Sequence, residues 1–522
     1  MRMQVKKLFC AALVAAVEML AAASAFADES FVLPGTAFTL ASGNPSVQTW
    51  RKGETAVPVW SFSGAQKGQS VSAVTPCLPA EARGVKIELL VVNEDASAND
   101  SFFDVWRTDV TELADGMPAT RGKPLRSRLA AKPWTPRRIV TETFLVVRGG
   151  APLAVRVWRE PGDAGDTFER PAGLLQVRVT PLAEPPAKPV AVESRPGYNS
   201  WPMIQSVGGR LVCLYSRGKG HTIGDGERDA FARTSLDGGK TWQDEVCVAN
   251  DPLVGEVAIG KGTDRDGAAL FWVRCMGRPR SHHDLYRTRD GVAFEKIASP
   301  AFDPFPMQVT DVFHVGERLM ALWFATNYKD GPHAWGTLAS DDNGRTWRQT
   351  TVERPAELRD LPTEPCVVNL GGGRLLGLAR SEDVNGDSTA SQFQLTSTDG
   401  GATWQKAKTN IRDVCISSPS LIYDAATKRV YVYYYERGRH VAKRRVADAD
   451  YAFSHPFDWP DSEGLFLGDE ERPHDAGNVN AVESGGRHYL TYYSGTRSQA
   501  TVYVAEAATA NVATVRTATC AD

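Results

Sequence analysis

A nine-residue phrase recurs along this chain and limits what it can fold into. Thr234–Trp242 reads TSLDGGKTW, Ala339–Trp347 reads ASDDNGRTW and Thr396–Trp404 reads TSTDGGATW, and a worn fourth copy, RTRDGVAFE, spans Arg287–Glu295. Each copy has the chemistry of a tight turn between strands: Asp caps nearby backbone, Gly supplies a positive φ, and Trp offers a ring to bury as the chain re-enters a strand. The phrase therefore predicts a structural turn and places no substrate.

Upstream of each phrase the chain repeats a polar start, an apolar run, a Gly-rich turn, a second apolar run and a charged stop. The first such stretch, SWPMIQSVGGRLVCLYSR, covers Ser200 to Arg217, and five more end at Arg274, Asn327, Arg380, Arg437 and Arg497. Six strand–hairpin–strand units spaced about fifty residues apart predict an all-β chain whose main domain is a six-bladed β-propeller.

Residues 28–183 lack the phrase but contain β-rich runs such as Val85–Val92, Thr141–Val147 and Leu175–Thr180, which predict a β-sandwich domain preceding the propeller. Its aromatics Trp106 and Trp134 are candidates for stacking on sugars. The Pro-rich stretch 184–194 reads as a semi-rigid linker, 195–510 as the propeller and 511–522 as a tail.

At the front, Lys6 and Lys7 precede an apolar run from Leu8 to Ala23 and an Ala25-Phe26-Ala27 site, the pattern of a signal peptide over residues 1–27. Export, to the periplasm or beyond it, follows as an expectation, with no transmembrane segment after cleavage. Seven cysteines lie beyond that segment, an odd number without close pairing, which argues against a disulfide scaffold. Cys213, Cys275 and Cys366 sit in apolar runs as core residues. No metal-ligand spacing, dinucleotide fingerprint or phosphate loop is present, so no metal or cofactor is expected. A net charge of −3 gives no sign of a nucleic-acid partner.

In a propeller the starts of the first strands and the ends of the second strands meet at one mouth. That rule gathers Ser200-Trp201, Glu256, Asp311, Glu364, Ser418 and Asn478 or Asn480 with Arg217, Arg274, Asn327, Arg380, Arg437 and Arg497. The spacing of 16 from Trp201 to Arg217 recurs from Glu364 to Arg380. Arg217, Arg274, Arg380 and Arg437 are thus candidate ligands for a carboxylate, which guanidinium grips in a bidentate fashion. The starts of the third strands add Gln392 and several His, and the Gly-rich loop from Gly218 to Asp229 carries His221, Asp225 and Glu227. Clustered carboxylates suit glycosidic chemistry: Glu364 or Asp311 as base, Asp225 or His221 as acid, and Glu256 as a further carboxylate at the mouth.

With these residues in view, TEPCVVNLGGGRLLGLAR (Thr363–Arg380) and the Asp-containing turns resemble the bacterial sialidase (neuraminidase) superfamily with its Asp-box repeats, over about 300 residues from Arg195 onward. The resemblance implies an exo-acting hydrolase that releases terminal sialic acid from glycoconjugates. In that family three arginines hold the substrate carboxylate, a Tyr–Glu pair supplies the nucleophile and an Asp on a first-blade loop is the acid/base. By position, Glu364 matches the Glu, Arg380 and Arg217 match two arginines, Arg437 or Arg439 the third, and Asp225 the acid/base. Two places depart from the family: Ser200-Trp201-Pro202 stands where it has Arg-Ile-Pro, and Gly477-Asn478-Val479-Asn480 where it has Tyr-Ser. Two other functions fit the same mouth, a propeller that binds acidic glycans without cleaving them and an enzyme acting on uronic-acid or rhamnose-containing polysaccharide.

Overall fold

The computed structural model describes residues 30–42, 46–52, 55–62, 70–93, 104–112, 125–131, 139–147, 149–160, 172–182, 188–221, 227–277, 281–327, 332–382, 391–414, 417–436, 441–467 and 475–507. The expected signal peptide, Trp134, Asp225, Arg437 and Arg439 lie outside them, as does the side chain of Trp106. The chain divides into two compact units, Met1–Pro186 with Ala510–Asp522, and Ala187–Thr509. Both are almost entirely β. Among the described residues no helix is long and apolar enough to cross a membrane, and the α-helix Ala449–Ser454 is a short one, capped by Asp448 through the Tyr451 N–H at 2.9 Å.

The first unit has two antiparallel sheets. One runs Ser46–Lys52, Thr55–Phe62, Ala172–Leu182, Gly84–Asn93, Ile139–Val146, with Phe31–Pro34 also on Ala172–Leu182, and the other runs Thr39–Ser42, Ser70–Val74, Leu153–Glu160, Asp104–Glu112, Leu125–Ala131. Alternating residues Val85, Ile87 and Leu89 of the first sheet share one core with Leu153, Val155 and Val157 of the second, which is the burial that a period of two produces.

The described strands of the second unit form five sheets, in which six antiparallel strand groups follow one another in chain order; groups one and six share one eight-stranded sheet through a parallel contact of Tyr198 with Ala500. The first strands of groups one to six are Tyr198–Val207, Val254–Thr263, the interrupted pair Gln308–Val309 and Phe313–Val315, Pro362–Gly371, Ser420–Asp424 and Asp475–Ser484. The second strands are Arg210–Gly218, Ala269–Gly277, Arg318–Ala325, Arg374–Ser381, Arg429–Glu436 and Arg487–Gly495. Each first strand touches the first strand of the next group, and Asp475–Ser484 returns to Tyr198–Val207. Group six takes its outermost strand, Val190–Glu193, from the start of the unit, paired on Ala500–Ala507. The two ends of the unit are thereby held in one group.

The repeated phrase is a hydrogen-bonded turn. Asp237 accepts from the Thr241 backbone at 2.9 Å and its hydroxyl at 2.6 Å, while Ser235 Oγ accepts from Gly239 N–H at 2.8 Å. Asp342 and Asp399 repeat the pattern with Thr346 and Thr403. Hydrogen bonds from Thr241 and Thr403 hold the Asp237 and Asp399 carboxyls down at about 2. Gly239, Gly344 and Gly401 have φ of 81°, 88° and 87°, which a side chain would strain. The Trp347 ring meets Trp272 with centroids 5.3 Å apart, so the local turn is also tied to the core.

Close strand packing appears at Gly336 in the third strand of group three, Ala334–Ser340, where a Cβ would stand 1.9 Å from the Thr350 carbonyl oxygen. That oxygen belongs to backbone and cannot swing aside. Gly336→Ala is expected to cost about 1–3 kcal/mol or more in urea unfolding; an unchanged midpoint would contradict this packing.

Candidate active site

Three non-glycine residues in the second unit have left-handed backbone at one recurring place. Trp201 (φ 49°), Glu364 (φ 47°) and Asn478 (φ 50°) each lie inside a register shift in a first strand, between Ser200 and Met203, Thr363 and Cys366, and Gly477 and Asn480. A bulge re-aims the side chain it carries, and such backbone costs of order 1–3 kcal/mol, so its recurrence in groups one, four and six marks a built feature.

Residues just along the same strands bring the three together. Asp311 Oδ1 accepts from the Lys261 N–H at 3.0 Å, and its Oδ2 faces Asn480 Nδ2 at 3.5 Å and Cys366 Sγ at 3.9 Å. Asn480 Oδ1 in turn accepts from Ile204 N–H at 2.9 Å. Groups one, two, four and six thus converge on Asp311, and the three bulges ring one end of that convergence.

Around Glu364 the chemistry is ionic. Arg380 donates to Glu364 Oε1 at 3.3 Å and to Glu382 Oε2 at 3.0 Å, while Ser418 donates to Glu364 Oε2. Glu382 lies two residues beyond Arg380, on the same face of the chain. Around Trp201 the chemistry is aromatic and acid–base. His221 Nδ1 is 2.6 Å from Asp475 Oδ2 and 2.7 Å from the Tyr198 hydroxyl, which donates to the same carboxylate oxygen at 2.5 Å. Tyr493 donates to Asp475 Oδ1 at 3.3 Å. The Trp201 ring is 5.6 Å from both the Tyr198 and the His221 rings, and the buried Arg228 guanidinium lies 4.6 Å over it. With His221 Nδ1 turned to Asp475, Nε2 is the nitrogen left to give or take a proton. Asp475, Tyr198, Tyr493 and Glu382 were not among the sequence candidates; the period-two offset from Arg380 could have found Glu382, whereas Asp475 lies 254 residues from His221.

Several expected mouth residues stand elsewhere. Arg380 pairs with Thr363, the residue before the bulge, and the same level holds Ser216 in group one and Tyr493 in group six. Arg217 pairs with Asn199, one residue further on. The spacings of 16 match, but group four has a second register shift, between Asn369 and Gly371, which group one lacks. A slip of one residue reverses the face of a strand. Arg217 therefore joins Glu193 at 2.9 Å and Glu245, with Asn199 Oδ1 at 2.8 Å, instead of joining Arg380. Glu193 also binds Arg195 and Arg233, so two carboxylates occupy three guanidinium groups here and Arg217 is held away from the Arg380 cluster.

Arg274 is likewise one residue past the level of Arg380, opposite Val257 and His283, and is buried. Glu256 lies two residues before the shift at Ala258, buried opposite Cys275, with Oε1 accepting from Asp251 N–H at 2.8 Å. Burial pushes its carboxyl up to about 7, aided by the charge of Asp229 and opposed by the Asp251 hydrogen bond. Asp311 is below the mouth, where burial raises its carboxyl against the nearby Lys261 charge. Its contacts fit a tie between strands better than a base. Gln392 is buried, its backbone bonded to Ile411 and Thr409, and its amide has no hydrogen-bond partner among the described residues.

No family model matches this chain, and no curated protein matches it. Solved structures do. A protein of unknown function from Dyadobacter fermentans superposes with TM-score 0.51 and 17% identity, over 62% of this chain and 99% of that one. NanB bound to Optactamide gives TM-score 0.50 and 9% identity over 85% of this chain and 99% of that one, and the NanB sialidase from Streptococcus pneumoniae with another ligand gives 0.49 and 10% over 86% and 98%. At these identities the likeness concerns the fold alone: the chain is almost wholly β and shares the fold of the first two of these structures.

Proposed function

We propose that the second unit is a six-bladed propeller, its six groups being the blades, and that the protein is an exo-acting glycoside hydrolase removing a terminal acidic sugar, sialic acid being the first to test. The observation that carries this reading is Glu364. It sits on strained backbone, oriented by Arg380 and Ser418, at the level where Trp201 and His221 stand in the blade across the ring.

In this reading the terminal sugar lies between Glu364 and the half-exposed His221 ring, while the buried Trp201 ring backs His221 from the core side. Arg380 meets its carboxylate. Asn478 offers no nucleophile where the resembled family has Tyr, so water attacks the anomeric carbon, Glu364 takes the water's proton and His221, oriented by Asp475, protonates the departing oxygen. Each bond made and broken then has a proton donor or acceptor from the chain, and the product emerges with inverted configuration.

Asn478 and Trp201 also favour a second reading, in which the mouth binds acidic glycans and leaves them intact. Incubation with sialyllactose and with a uronic-acid-capped oligosaccharide separates the two. Release of the capping sugar, seen first as the inverted anomer by proton NMR, is the expected result. Micromolar to millimolar binding without release would instead establish the glycan-binding reading, and neither binding nor release would end both.

A further inference from the structure

We infer that group two holds a binding site for a zinc-class divalent ion, formed by Cys275, His282 and Asp284. Sequence spacing hid it, because His282 stands seven positions after Cys275. The strand register supplies it: Cys275 is directly opposite His282 on neighbouring strands, and Asp284 is two residues further along, on the face that His282 shares.

Their donor atoms all lie within 4.8 Å of one another. His282 Nε2 is 3.6 Å and Cys275 Sγ 3.9 Å from Asp284 Oδ2. Tetrahedral zinc with bonds of about 2.0–2.3 Å needs donors roughly 3.3–3.8 Å apart, so small side-chain shifts close the site. A thiolate, an imidazole and a carboxylate are also a donor set that selects zinc over calcium or magnesium.

A second, independent observation points to a ligand here. Asp284 is 3% exposed, and its Oδ1 has no hydrogen-bond partner among the described residues. Leaving a buried carboxylate oxygen so is unfavourable, and a bound cation would satisfy it. Lys296 Nζ is 3.2 Å from Oδ2. Its side chain is 53% exposed, so it can turn to solvent as the ion enters. Cys275 must lose its proton to ligate, and binding one ion releases that proton to solvent. Three protein donors leave a fourth position for water. The ion would fasten the second strand of group two, Ala269–Gly277, to the third, His282–Thr288, near their mouth ends.

The test uses the full chain, stripped with EDTA and dialysed against Zn²⁺ or Co²⁺. The expected result is one ion per chain, a thiolate-to-cobalt charge-transfer band in the near ultraviolet and a Tm that rises with Zn²⁺. Cys275→Ser should abolish the band, and both Cys275→Ser and His282→Gln should weaken binding by more than about tenfold. His282 is 37% exposed, so its variant keeps the fold while losing a donor. Absence of a stoichiometric ion, or either variant binding as tightly as the parent, would overturn the site. Neither outcome depends on glycosidase activity.

Discussion

Glu364→Gln is expected to lower turnover on the preferred acidic glycoside by at least about a hundredfold, the range that a positioned acid or base contributes. Glutamine keeps the size of the side chain and can still accept from Ser418, so KM and the urea midpoint should change little. What it loses is the ability to take a proton from water. Glu382→Gln, on the other side of the same guanidinium, separates position from chemistry. Glu382 shares Arg380 through a contact of 2.8 Å but stands outside the bulge, so its variant should mainly raise KM. Equal losses in both variants, accompanied by lower stability, would mean that the cluster is a structural ion network and that Glu364 does no chemistry.

Glu193→Ala should be the most damaging single change to folding outside the hydrophobic cores. Its side chain is 1% exposed and accepts from Arg195 at 2.6 Å, Arg217 at 2.9 Å, Arg233 at 3.1 Å and the Tyr215 hydroxyl at 3.1 Å. Removing it leaves Arg217 and Arg233 in a partly buried place with less compensation, since Glu245 remains for Arg195 and Arg217. A loss of about 3 kcal/mol follows from breaking a buried ion cluster on one side, measured by urea unfolding at neutral pH. A change below about 0.5 kcal/mol would show that solvent screens the cluster as it does an exposed pair.

The same group sets a pH dependence. Burial alone would raise the Glu193 carboxyl, but hydrogen bonds from Arg195 and the charges of Arg217 and Arg233 hold it well below its ordinary 4.5. Asp413 is held below its ordinary 3.8 despite burial by Lys443 and Arg445. A carboxyl lowered by folding contributes stability that is complete above its unfolded value and is lost as pH falls toward the folded one. Unfolding free energy should therefore be insensitive to these groups above about pH 5 and decline steadily below it. In Glu193→Ala that decline should be shallower; an identical slope would remove Glu193 as a cause.

How much of this the bare chain disclosed depended on sequence distance. The Asp-containing turns were legible because the hydrogen bonds of their capping Asp side chains close within five residues, as between Asp237 and Thr241. Glu364 and Arg380 were legible because one hairpin joins them. Arg217 was placed on the wrong face because equal spacing does not mean equal register, and the extra shift at Asn369 and Gly371 leaves no mark in composition. Glu256 and Arg274 were misplaced for a related reason: counting from an apolar run locates a strand to within a residue or two, while the face alternates at every residue. Partners such as His221 with Asp475, or Lys261 with Asp311, come from different groups and meet only when the ring of first strands forms. The arginine clamp expected from the family resemblance is accordingly reduced, among the described residues, to Arg380 shared between two carboxylates.

The most direct measurement is a crystal structure of the Glu364→Gln protein soaked with an acidic oligosaccharide that the parent cleaves. The account predicts the terminal sugar beside residue 364, its carboxylate toward Arg380 and its glycosidic oxygen within hydrogen-bond reach of His221 Nε2. A saccharide bound elsewhere on the molecule, with the mouth holding none, would contradict it.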